Sequence, residues 1–160
     1  MNVDWSNLNN YQVGVHQNCP ITLKRSHNGF SLTTKDQITH QVYCSALNFQ
    51  KNVITNRFTQ ALAENILMAE YRATILAAWD NSEKFPIYKG SKKCFLTLLG
   101  GGVFRNPFEI ICRAISSCKD IIEGSGLDVY VVCFDDFCFN KTYPYLNKTI
   151  RETGGSIIEA

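Results

Sequence analysis

Long apolar runs are missing from this sequence, and so is any concentration of one charge. No stretch approaches the roughly 18 consecutive apolar residues that a membrane helix needs, so we expect no membrane as a partner. The first ten residues are polar and rich in asparagine, which predicts no secretory signal peptide. The net charge is +2 at pH 7, and Lys92-Lys93 is the nearest approach to a basic run. We therefore expect no nucleic acid as a partner.

The seven cysteines lack the even count and regular spacing of a disulfide framework. Cys44, Cys94, Cys112 and Cys133 lie inside apolar runs, where a reduced cysteine behaves as a small hydrophobic side chain. This usage favours a reducing, cytoplasmic location. His16-Gln-Asn-Cys19 resembles one half of a zinc site, but no second pair follows at ligand spacing. We predict no metal and no cofactor.

Alternating strand and helix patterns indicate the fold class. The chain has 160 residues, 45% of them hydrophobic, which suits one domain with its own core. Residues 1–39 are irregular apart from a hairpin predicted at Asn28-Gly29. Residues 40–160 are predicted to form an α/β core of three layers, with helices on both faces of a mostly parallel mixed sheet. The predicted strands are 41–47, 94–99 and 128–134, and the predicted helices are 57–79, 106–124 and 136–152.

The segment Gly100-Gly-Gly-Val-Phe-Arg-Asn106 joins a buried strand to a helix and has the chemistry of an anion site. Three glycines allow close approach of a ligand, and a helix N-terminus favours negative charge. The planar guanidinium of Arg105 can donate two hydrogen bonds to one phosphate. Asn106, Pro107 and Glu109 match the first residues of a capped helix. The segment lacks the Gly-Lys-Ser/Thr of phosphoryl-transfer loops, so we predict a pyrophosphate cradle, with a ligand-free turn as the alternative.

These residues also carry a resemblance to a known family. The runs Phe95-Leu-Thr-Leu-Leu-Gly-Gly-Gly-Val-Phe-Arg-Asn-Pro107 and Val129-Tyr-Val-Val-Cys-Phe-Asp-Asp136 resemble the second half of a macrodomain. They are most similar to the divergent group related to poly(ADP-ribose) glycohydrolases. Residues 39–47 and the alanine-rich helix after them fit the same pattern, so the resemblance covers residues 11–153. It implies that the chain binds ADP-ribose or an ADP-ribosylated protein.

The resemblance assigns roles to residues after two strands. In macrodomains the glycine turn wraps the diphosphate and distal ribose of ADP-ribose, and an aromatic side chain lies beside that ribose at the position of Phe104. The end of the next strand lies beside the adenosine, at the positions of Phe134 to Asp136. The ligand-binding residues that the resemblance implies are Leu99, Gly100, Gly101, Gly102, Val103, Phe104, Arg105, Asn106, Phe134, Asp135 and Asp136.

Two departures from the family leave alternatives open. Arg105 stands where many members have glycine, so its side chain either binds phosphate or obstructs the site. The first strands of a macrodomain, which carry an adenine-contacting Asp, a catalytic or ribose-binding Asn and paired glutamates, have no counterpart before residue 28. The resemblance therefore implies a core that is incomplete at its N-terminal side. It implies a glycohydrolase only if the complete protein supplies those groups, and the catalytic residues stay unknown.

The alternatives to ADP-ribose recognition are a ligand-free interaction or scaffold domain and a domain for another pyrophosphate nucleotide, such as NAD or a flavin. Asp135-Asp136 fits a helix cap better than a general acid/base pair. Glu64 and Glu70 lie six residues apart on one predicted helix, and we expect both to be solvated charges.

Overall fold

The computed structural model describes residues 4, 6–33, 35–49 and 56–160. The chain divides into two compact units, one formed by Val13–Cys44 and the other by Met1–Gln12 with Ser45–Ala160. The boundary follows Cys44, whereas the sequence led us to expect it at residue 39.

The smaller unit consists of two antiparallel strand pairs. Strand β1 (Gly14–Pro20) pairs with β4 (Ile38–Tyr43), and β2 (Leu23–Ser26) pairs with β3 (Gly29–Leu32). The predicted hairpin is confirmed, and Ser26 pairs with Gly29 across a two-residue turn. Gly29 has φ 105°, a backbone conformation that glycine adopts without a steric penalty.

The strand predicted at 41–47 was expected in the parallel sheet, and this is wrong. The observed strand is β4, which ends at Tyr43 and pairs antiparallel with β1. The register of that pair shifts between His16 and Cys19, where Asn18 takes φ 58°. Ser45–Phe49 has no regular secondary structure. A short apolar run specifies an extended strand but not its partner, because side-chain patterns do not encode the neighbouring strand.

The larger unit contains a three-stranded parallel sheet in the order β5-β6-β7. None of the helices in the described ranges is both long enough and apolar enough to cross a membrane. The strands are β5 (Lys93–Thr97), β6 (Asp128–Cys133) and β7 (Ser156–Glu159); the helices are α1 (Arg57–Lys84), α2 (Phe108–Ser116), α3 (Lys119–Ser125) and α4 (Asp136–Thr153), with short 3-10 turns at Leu8–Asn10 and Lys89–Lys92.

The core lies on one face of this sheet. Cys94 and Leu96 of β5 point into it, and Leu96 is only 2% exposed. The intervening Phe95 is 55% exposed and stacks on Tyr130 of β6, with ring centroids 5.1 Å apart. The prediction that these strands are buried on both faces is therefore wrong, and the three-layer arrangement is not found in the described residues. The coarser prediction, a mixed α/β fold with a parallel sheet, is confirmed.

The observed helices agree with the predicted ones more closely than the observed sheet agrees with the predicted sheet. α1 begins at the predicted Arg57, because the Asn56 side chain accepts a hydrogen bond from the Thr59 N–H. It runs on to Lys84, past the predicted end at residue 79. The predicted helix 106–124 is two helices, α2 and α3, and Gly126 at φ 63° ends the second one. α4 begins after Asp135 as predicted.

Candidate functional site

The glycine turn follows β5 and is held by its own backbone. The Gly101 N–H donates to Leu98 O at 3.0 Å, the Arg105 N–H to Gly102 O at 3.0 Å, and the Asn106 N–H to Gly100 O at 2.9 Å. Gly100 has φ 72° and Arg105 has φ 55°. Arg105 thus occupies a left-handed conformation that disfavours a residue with a Cβ.

Gly100 is required by packing. A Cβ at this position would overlap the Asn106 amide nitrogen and lie 2.5 Å from the Ala46 Cβ. Packing is thus sufficient to require glycine here, and the predicted ligand contact of Gly100 stays a prediction. At Gly102, in contrast, an added Cβ would meet nothing within 4 Å. Gly102 presents an open surface.

Asn106 does not cap α2, so this part of the prediction is also wrong. Its side chain is 2% exposed, and its amide nitrogen donates to Leu47 O at 2.7 Å and to Gly100 O at 3.3 Å. Pro107 occupies the position before α2 without a side-chain cap, and Glu109 pairs with Arg113 at 2.7 Å. Asn106 instead fastens a distant segment to the turn, which a local capping pattern does not reveal.

That segment, Ser45–Phe49, is attached at alternate residues. The Ser45 N–H donates to the Glu70 carboxylate at 2.9 Å, Leu47 O accepts from Asn106, and the Phe49 N–H donates to Phe104 O at 2.8 Å. The bonds join the segment to α1 and to the second half of the turn, at Phe104 and Asn106. The shape of the turn therefore depends on a stretch of chain more than fifty residues away in sequence.

Glu70 is buried, contrary to the expectation that it is a solvated charge. It is 7% exposed, and its second carboxylate oxygen has no hydrogen-bond partner among the described residues. Burial raises the pKa of its carboxyl above the ordinary value, and the hydrogen bond from Ser45 opposes this effect. Glu64, the other carboxylate considered on this helix, forms an ion pair with Arg113 at 2.9 Å.

The surface of the turn offers unused donors. Among the described residues, none accepts a hydrogen bond from the N–H groups of Gly102, Val103 or Phe104. Val103 is 70% exposed, so these groups lie in a segment open to solvent. Successive backbone N–H groups in a turn form a concave site for anions. These donors make the turn a candidate site for an anion.

Arg105 adds a positive charge beside these donors. The side chain is exposed, and no carboxylate in the described part of the chain forms an ion pair with it. It lines a pocket of about 190 Å³ together with Phe49, Gln60, Pro107 and Ile110. Phe49 and Gln60 were absent from the sequence-based site, because neither belongs to the glycine motif.

The second predicted part of the site lies at the same edge of the sheet. β5 and β6 are neighbouring parallel strands with Thr97 opposite Val132, so their carboxyl ends meet there. Phe134 follows β6 and is 78% exposed. The Asp135 carboxylate accepts a hydrogen bond from the Cys138 N–H at 2.8 Å, which confirms its predicted role as a cap. Asp136 begins α4 and is exposed.

Thiol and metal chemistry receive no support. Cys19, Cys94, Cys112, Cys118, Cys133 and Cys138 are buried free thiols. Burial raises the pKa of Cys94 and Cys112 to about 12 and that of Cys133 to about 11, so these thiols are not nucleophiles at neutral pH. Within the described ranges, no group of three or more His, Cys, Asp or Glu side chains could hold a metal ion.

Comparison with known proteins adds no relative. No family model, no curated protein and no solved structure matches the chain. The function must therefore be argued from the turn and its surroundings.

Proposed function

We propose that this chain recognises ADP-ribose, free or attached to a protein, and holds its diphosphate on the glycine turn. The observation that carries the proposal is that three successive N–H groups, those of Gly102, Val103 and Phe104, donate to no described residue. A diphosphate is a good match for such a set because each of its oxygens can accept from a backbone N–H. The resemblance of the sequence to macrodomains favours ADP-ribose over other pyrophosphate nucleotides.

Gly102 gives the ligand its approach to the turn. The absence of a side chain leaves the N–H groups open, and nothing in the fold lies where a Cβ would be. The resemblance implies Phe104 as the aromatic beside the distal ribose and Phe134 as the aromatic beside the adenosine; Phe104 is half-buried against the core and Phe134 is exposed. The proposal is limited to recognition, and the Asp135 carboxylate has a structural role as the cap of α4.

A calorimetric titration with ADP-ribose tests the proposal, using the chain and its Gly102→Ala variant. We expect binding by the chain and a loss of about tenfold or more in the variant, because an added methyl group covers donors that each contribute about 1.5–3 kcal/mol to a charged partner. No binding at millimolar ADP-ribose would refute the proposal. NAD and a flavin nucleotide, titrated in the same way, test the other pyrophosphate nucleotides.

A ligand-free scaffold domain is the second candidate, and Arg105 is the observation that favours it. A bulky side chain stands in a left-handed position where glycine would leave the turn open. Arg105→Gly separates the two functions. If the guanidinium binds phosphate, the variant binds ADP-ribose more weakly than the chain does. If the side chain obstructs an empty turn, binding appears only in the variant.

A further inference from the structure

The pocket beside the glycine turn has the size of a compact chemical group. Its described lining comes from the start of α1, the end of the turn and the start of α2, and its volume is about 190 Å³. Pockets for whole ligands measure about 300–1,000 Å³, while one water fills about 30 Å³. The pocket is therefore too small for a nucleotide and large enough for a phosphate with its first hydration partners.

The positive charge in the lining of this pocket favours an anion as its ligand. Arg105 is the charged residue among the described lining, and Gln60 contributes an amide donor. The nearest carboxylates along the two helices, Glu64 and Glu109, are both bound to Arg113, at 2.9 and 2.7 Å. Arg57, which is exposed, precedes Gln60 by one helical turn. No carboxylate in the described ranges therefore compensates the positive charge of Arg105.

Backbone strain at Arg105 supports a role for its side chain. The residue takes φ 55°, which costs about 1–2 kcal/mol for a residue that is not glycine. Residues with such strained backbone conformations cluster at ligand sites, where the strained position serves a function. Phe49, Pro107 and Ile110 supply the apolar part of the same pocket lining.

We propose that this pocket is a separate subsite for a phosphate-sized anion, with the Arg105 guanidinium as its charge partner and the Gln60 amide as a second donor. The inference rests on the proposed function in that the anion is one of the two phosphates of ADP-ribose, while the other phosphate lies on the N–H groups of residues 102–104. Arg105 thereby selects ligands with two adjacent phosphates over ligands with only one.

Inorganic phosphate is the probe, and the side-chain amide of Gln60 is the reporter in a nuclear magnetic resonance titration. We expect this amide to shift in the chain and in Gly102→Ala alike. Arg105→Asn keeps a residue that tolerates the left-handed backbone but removes the charge, and should weaken phosphate binding by about tenfold or more. Gln60→Glu should also weaken phosphate binding, because the new carboxylate repels the anion. Gln17→Glu makes the same charge change on exposed β1 and should leave binding unaltered.

The outcomes separate this inference from the proposed function. Phosphate shifts confined to residues 102–104 would overturn the pocket subsite and leave recognition at the turn intact. Arg105-dependent shifts of Gln60 without any binding of ADP-ribose would support the subsite and defeat the proposed function. Equal phosphate affinity in the chain and in Arg105→Asn, with circular dichroism showing both folded, would overturn the subsite.

Discussion

Gly100→Ala perturbs the point at which the turn, Asn106 and Ser45–Phe49 meet. The new Cβ would overlap the Asn106 amide nitrogen and lie 2.5 Å from the Ala46 Cβ. Gly100 also has φ 72°, which disfavours alanine by about 1–2 kcal/mol. Asn106 must move, and it then loses its bonds to Leu47 O and Gly100 O, at about 0.5–1.5 kcal/mol each.

These effects together lower the free energy of unfolding by about 2–5 kcal/mol, a large part of the about 5–15 kcal/mol that a typical domain has. Urea denaturation followed by circular dichroism at 222 nm measures the change, because the helices belong to the larger unit. Gly102→Ala is the matched control. Its Cβ meets nothing, so its stability should be unchanged or higher by up to about 1 kcal/mol. Equal stability of the two variants would refute the packing role of Gly100.

Three further predictions concern stability. Burial raises the pKa of Glu70 above 4.5, so the stability of the chain falls as pH rises through the raised value. Glu70→Gln removes this effect. In urea denaturation, the free energy of unfolding of the variant should equal that of the wild type below pH 4.5 and exceed it at pH 8. A difference between the two proteins that does not change with pH would contradict the raised pKa of Glu70. Asp135→Ala should cost about 0.5–2 kcal/mol in thermal unfolding through loss of the cap, more than Asp136→Ala does. Arg105→Gly should raise stability by about 1 kcal/mol through relief of the left-handed strain, and a loss of stability would show that the Arg105 side chain stabilises the fold.

Local signals accounted for the elements that the sequence predicted well. Asn56 and Asp135 each cap a helix through a bond to the N–H three residues later, so a pattern of neighbours was sufficient. The strands around Leu96 and Val131 were evident from continuous apolar runs. The same apolar runs led to the wrong prediction that both faces of the sheet are buried, because Phe95 and Tyr130 are aromatic and yet lie on the open face.

Contacts between distant parts of the chain accounted for the errors. Asn106 has the residue type and position of a cap, but a carbonyl oxygen at Leu47 competes for its amide. Glu70 looks like a surface charge on a helix until Ser45 is placed against it. Gln60 and Phe49 become part of the site only when α1 and α2 meet. None of these pairings leaves a periodic or short-range signal in the sequence.

The central claim is that the N–H groups of Gly102, Val103 and Phe104 bind the diphosphate of ADP-ribose. An amide chemical-shift titration of the labelled chain with ADP-ribose tests it most directly. We predict that these three amides show the largest saturable shifts and that ADP competes for them. ADP-ribose binding that leaves all three unchanged, or no shift anywhere at millimolar ligand, would contradict the claim.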